Sequence, residues 1–235
     1  MRRTWSPPRL ATGAVLALWA GLFWFLLLSG RTSLYLSSRT SWVVPIGAAL
    51  LTTAALGRLA SARTDRPAHI RPREAWVLGA VALPAVLVLA LPPATLTSFA
   101  ASRRSIFVGA GISSSAEDIA SGDLTLLDVA GAQTTKEGQH ALAKRAGESV
   151  NFVGFVTRTP GTPADEFLLT RFIVSCCVAD ATIAQVRVVN VPPGEFADDD
   201  WVQVDGTIYP LGREILVDAA GIAPVERPEV PYLTP

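Results

Sequence analysis

Three long stretches of the chain carry no charge. Leu10–Gly30, Thr40–Gly57 and Ala75–Ser102 contain no Asp, Glu, Lys or Arg. Their apolar residues run continuously rather than at helical spacing, and a bilayer-crossing helix needs about 20 of them. The pattern predicts helices over about 10–30, 40–57 and 75–92. Pro92-Pro93 should stop the last one near Leu91. The middle run is the weakest, being short and rich in Ala and Thr. The first run is longer than a signal-peptide core, and no small-x-small cleavage site follows it, so an uncleaved anchor is expected.

The pattern changes after residue 104. Residues 105–149 read as a connector with short helices. Ser113–Asp118 has the serines and acids of a helix start. Leu124, Leu126, Leu127 and Val129 could pack on a neighbouring domain, and Ala141–Ala146 reads as a helical turn. From Val150 onward apolar residues recur at every second position, the period of a strand. Strands are predicted at Asn151–Thr159, Glu166–Val178, Ile183–Val191, Trp201–Tyr209 and Glu214–Val217, the last with a continuation over Ile222–Val225. The expected fold class is α+β: transmembrane helices (two or three) over 1–104, then a small all-β OB-like Greek-key barrel over 150–235. A small β-sandwich is the alternative. Gly154 and Gly206 should sit where a small barrel curves sharply.

Composition alone says little, because 20 basic residues balance 20 acidic ones. Position changes that. Residues 1–104 hold twelve Arg, no Lys and two acids, a net of +10, and the remainder carries −10. Eight of the arginines flank the N-terminus and the 58–73 loop, while four lie on the other side of the helices. The positive-inside rule then puts the N-terminus in the cytoplasm of a multi-pass protein of the cell membrane. Three spans would leave the C-terminal domain extracytoplasmic, and two would return it to the cytoplasm. The predicted spans hold no ionisable side chain, which argues against a channel or pump formed by this chain alone.

The acidic charge of the barrel half argues against nucleic acid, which needs a basic groove with stacking aromatics. Asp198-Asp199-Asp200 reads as a solvated turn, since consecutive carboxylates lack the alternating spacing of a calcium loop. His140 lies in a polar setting and reads as solvated. There is no Ser–His–Asp arrangement and no phosphate-cradling glycine loop, so the chain does not read as an enzyme.

Chemistry concentrates in RFIVSCCVADA, residues 171–181. A bond between Cys176 and Cys177 would be strained, because adjacent Cα atoms are closer than a disulfide prefers. Alternation along a regular strand puts Cys176 on the apolar side and makes Cys177 the accessible thiol. Three readings are open: small packing residues, ligands for a soft metal ion shared with another group, or a redox pair. Unpaired thiols are unusual outside the cytoplasm, which weighs against packing alone.

RFIVSCCVADA, with VNFVGFVTRTP before it and WVQVDGTIYP after it, resembles the family of YcgQ-like permease subunits. LYLSSRTSWVVPIGAALL and LALPPATLTSFAASRR extend the resemblance through the membrane part. The signature maps onto Gly154, Phe155, Arg171, Phe172, Cys176, Cys177, Ala179, Asp180 and Ala181. The resemblance implies a membrane protein working beside a larger multi-span permease, with a link to metal homeostasis and no catalytic residues. Some members carry a His-rich loop after the membrane part. The matching loop here has His69 alone, which weakens metal delivery by that loop. The reading is an accessory subunit in which Cys176 and Cys177 meet a metal, with Arg171 and Asp180 supporting their strand. A surface binding module for an oligosaccharide or protein, and a thiol redox protein, are the alternatives.

Overall fold

A computed structural model describes residues 4–64, 69–91, 96–103, 123–211 and 214–235. The helix start expected at Ser113–Asp118 lies outside them. The chain divides into two compact units, Met1–Ala94 and Thr95–Pro235.

The first unit contains α1 (Pro7–Leu28), α2 (Val43–Ala60) and α3 (Pro72–Ala90). All three are long and apolar enough to cross a membrane. Prolines set the starts of α1 and α3, where a missing N–H costs nothing. Glu74 accepts the Arg71 N–H at 3.1 Å and caps the start of α3. This helix ends at Ala90, just ahead of Pro92-Pro93.

Packing is tightest between α1 and α2. A Cβ on Gly13 would meet Leu59 at 2.7 Å, and one on Gly47 would meet Phe23 at 2.6 Å. These glycines let the helices approach as small residues do in bilayers. Trp24 donates to the Thr52 hydroxyl at 3.1 Å, and Trp19 reaches from α1 to the Val81 carbonyl of α3 at 3.0 Å. Strands β1 (Thr4–Trp5) and β2 (Arg63–Thr64) pair briefly beside the helix ends. Only 6% of the α3 span is buried within the fold, so its apolar surface stays largely uncovered.

The second unit is a closed five-stranded barrel with short helices against it. Its strands are β3 (Ser149–Thr157), β4 (Phe167–Ile173), β5 (Thr182–Val189), β6 (Trp201–Leu211) and β7 (Glu214–Pro224). They close in the order β3-β4-β5-β7-β6. The β5–β7 pair is parallel and the other pairs are antiparallel. This is the Greek-key order of an OB-type barrel, and it confirms the expected fold class. The segments expected at Glu214–Val217 and Ile222–Val225 are one continuous strand.

Phe152, Val156, Phe167, Leu169, Val186, Val204 and Ile208 fill the barrel. Helix α5 (Leu126–Ala132) adds Leu126 and Val129, and α6 (Lys136–Ala143) adds Leu142. Thr125 and Asp128 cap α5 reciprocally: the Thr125 hydroxyl accepts the Asp128 N–H at 3.2 Å, and the Asp128 carboxylate accepts the Thr125 N–H at 3.0 Å. A second cluster forms on the outer wall from Phe155, Phe172, Val174, Ile183 and Tyr232, with Ala101 of α4 (Ser98–Ala101). Phe155 and Phe172 stack at 5.6 Å, and Tyr232 meets Phe172 edge-on at 6.4 Å.

Both barrel glycines stand where backbones meet. A Cβ on Gly154 would lie 2.8 Å from the Thr170 carbonyl. Gly206 sits at a break in the β6–β7 register, with the Asp218 carbonyl against it.

Candidate functional site

The cysteine turn follows directly from where β4 stops. The run expected as a strand to Val178 leaves the sheet at Ile173, because other groups capture its backbone. Val174 donates its N–H to the Leu233 carbonyl at 2.9 Å, and Leu233 donates back to Phe172 at 2.8 Å. The next two amides turn to a carboxylate. Asp180 accepts the Ser175 N–H at 3.1 Å and the Cys176 N–H at 2.8 Å. A single 3-10 turn, Val178–Asp180, brings that carboxylate round.

Exposure of the two thiols is therefore the reverse of the expectation from strand alternation. Cys176 is exposed and Cys177 is half-buried. Alternation no longer applies once the chain has left the strand. Neither cysteine is in a disulfide, and the Cys176 thiol donates to the Cys177 sulfur at 3.7 Å. Hydrogen bonding to Asp180, and next to Cys177, pushes the Cys176 thiol up to about 11. Partial burial draws the Asp180 carboxyl upward. The hydrogen bonds from the Cys176 thiol and from the backbone of Cys176, Ser175 and Cys177 outweigh it, and the net direction is down. Reactive cysteines have lowered thiol pKa values, so this turn is arranged in the opposite sense.

Arg171 does not pair with Asp180. Its Nε donates to the Pro231 carbonyl at 3.2 Å and its Nη2 to the Val230 carbonyl at 3.0 Å. The guanidinium also lies 5.9 Å from the centre of the Trp201 ring. Desolvation by burial lowers its pKa. Arg171 thus fastens Val230–Leu233 alongside β4, and that segment in turn holds Val174 at the base of the cysteine turn. Sequence reasoning missed this strap. The sign available for it was Tyr232, an aromatic in a tail otherwise rich in Pro and Glu.

The remaining candidates scatter. His140 is exposed on α6, and His69 is exposed in the first unit. Each acid of the run has a partner within the second unit. Asp198 lies 3.8 Å from Arg158, Asp199 accepts the Ser98 N–H at 2.5 Å and its hydroxyl at 3.1 Å, and Asp200 accepts the Ala197 N–H at 2.7 Å. Among the described residues no group of three or more His, Cys, Asp or Glu is placed to hold a metal ion. Cys176 and Cys177 are two soft ligands side by side, and a closed zinc site takes four.

The arrangement defines a class of protein: three span-capable helices joined to a closed OB-type barrel. The chain belongs to the DUF1980 C-terminal domain family, whose model matches residues 114–234 and so takes in the whole barrel and the cysteine turn. That family is associated with membrane-linked proteins. No curated protein and no solved structure matches the chain.

Proposed function

We propose that this protein is an accessory subunit of a membrane permease, without catalytic activity of its own. The observation that carries the reading is the condition of the three helices. Their spans hold no ionisable side chain between the ends, and Val77, Leu83, Val86 and Leu87 of α3 remain exposed. A solute path needs polar groups within the membrane. A larger multi-span partner supplies that path in this reading, and the uncovered apolar surface is divided between that partner and lipid.

The arginine bias supports a cytoplasmic N-terminus and 58–73 loop, and with three spans the barrel lies on the opposite side in this reading. There the barrel caps or gates the partner, and it binds no nucleic acid. The cysteine turn presents Cys176 outward, with Cys177 half-buried beside it. If a soft metal ion is the cargo, these thiols supply part of its coordination and the partner supplies the rest.

Two other readings have less support. A redox role calls for a lowered thiol pKa, whereas Cys176 is raised to about 11. Small-ligand pockets commonly exceed about 300 Å³, and among the described residues two cavities on the barrel, beside Arg171 and beside Asn190, are about 240 and 130 Å³.

Crosslinking in native membranes followed by purification of the full chain tests the proposal. A multi-span membrane protein should be recovered with it. Recovery of the chain alone, or with soluble proteins only, would overturn the permease reading. Metal titration of the recovered complex, native against Cys176→Ser/Cys177→Ser, tests the cysteine role separately.

A further inference from the structure

The first unit holds a second feature, unrelated to the cysteine turn. A cavity of about 980 Å³ opens where the last turn of α2 faces the first turns of α1 and α3. Arg58, His69, Arg71 and Arg73 line it. Below them the wall is formed by Val77 and Leu78 of α3, with Pro8 and Thr12 of α1.

The charge in this cavity is unbalanced. The carboxylate that lines it, Glu74, is engaged by the Arg71 backbone N–H at 3.1 Å. Among the described residues none of the three guanidiniums forms an ion pair, whereas Arg145, Arg158 and Arg187 of the barrel each meet a carboxylate. Neighbouring Arg9 and Arg63 are already occupied. Arg9 donates to the Ser61 carbonyl at 2.6 Å, and Arg63 lies 4.8 Å from the centre of the Trp5 ring. Three like charges gathered around one cavity repel one another, and an anion would relieve that. A phosphodiester suits guanidiniums in particular, because two parallel N–H groups match two of its oxygens.

Position selects the source of the phosphate. The arginines stand at the ends of span-capable helices, where hydrocarbon gives way to headgroups, and the wall beneath them is apolar. Basic pockets between transmembrane helices at this level bind anionic headgroups. We infer that this cavity is a binding site for an anionic phospholipid. Arg58, Arg71 and Arg73 hold its phosphate, and the upper part of an acyl chain lies along Val77 and Leu78. The inference requires the helices to lie in a bilayer, and it does not depend on a permease partner.

The full-length protein in nanodiscs of equal parts phosphatidylglycerol and phosphatidylcholine provides the test. Lipid retained after extraction is identified by native mass spectrometry. Phosphatidylglycerol should be retained over phosphatidylcholine by about tenfold, the ratio that about 1.4 kcal/mol produces. Arg58→Gln/Arg71→Gln/Arg73→Gln should abolish that preference. The corresponding triple Lys variant keeps the charge but loses the paired N–H groups, so it should prefer phosphatidylglycerol more weakly than the native protein, whereas Arg31→Gln/Arg39→Gln, which lie outside the cavity, should keep the full preference. Equal retention of the two lipids by the native protein would overturn the site, and so would a preference that survives the triple Gln change. If the Gln variant fails to fold, the native comparison decides. Displacement of the lipid by inorganic phosphate would assign the cavity to a soluble anion and overturn the lipid assignment.

Discussion

Asp180 accepts the backbone N–H of Cys176 at 2.8 Å, and this bond turns the chain out of the barrel wall and exposes the Cys176 thiol. The same carboxylate that shapes the turn also raises the thiol pKa. Geometry and reactivity are therefore linked through one residue.

Replacement of that carboxylate should make Cys176 more reactive. In a Cys177→Ser background, where the Cys177 share of the rise is already gone, Asp180→Asn should lower the thiol pKa further toward its ordinary value. Each unit of fall raises the thiolate fraction at neutral pH about tenfold. Nucleophilicity drops along with pKa, so the net gain in alkylation rate is about threefold per unit. An unchanged rate would show that Asp180 does not control the thiol.

The turn should also open in acid. The Asp180 pKa is lower in the folded protein than in the unfolded chain. Its contribution is therefore fully present above the ordinary carboxylate value of about 4 and is lost as pH falls through the lower, folded value. Protection of the Cys176 amide, measured against its intrinsic exchange rate at each pH, should fall in that acidic window and stay flat from there to neutral pH. Loss of protection beginning near neutral pH would contradict the assignment.

Arg171 should matter for the strap more than for the thiols. Arg171→Met keeps much of the packing over Trp201 and removes both hydrogen bonds to the tail. A loss of about 2 kcal/mol is expected, since bonds from charged donors contribute about 1.5–3 kcal/mol each and water replaces part of that. Limited proteolysis should then cut near Val230 before the barrel is attacked. Uniform loss of the barrel with no early tail cleavage would argue against the strap.

Barrel closure depends on close backbone approach. Gly154→Ala should destabilise by about 1–3 kcal/mol, because the new methyl would lie 2.8 Å from the Thr170 carbonyl. Gly206→Ala should cost at least as much, since the Asp218 carbonyl lies closer still. Chemical denaturation of the two variants measures this, and Gly161→Ala provides a reference for a left-handed turn with open space around it.

Much of the fold was legible because the signals were local. Charge-free runs marked the helices, and Pro92-Pro93 marked the end of α3. Alternation marked the strands through Val156, Leu169, Val186 and Val204. The end of β4 was not legible. From Glu166 to Val178 the run reads as one strand, and nothing local interrupts it. It stops because Leu233 and Asp180 capture its amides, one from a distant part of the chain and the other from the expected turn at Asp180-Ala181, whose carboxylate reaches back to Ser175 and Cys176. The inverted exposure of the two cysteines follows from that single miss. The acidic run was hidden for a similar reason, since Asp199 finds its partner at Ser98, far away in sequence.

The order of the helices bears on how the protein is made. Both α2 and α3 pack on α1. The helix that both later segments need is thus the first to leave the ribosome. Each newcomer finds its neighbour already in place, and assembly can keep pace with synthesis.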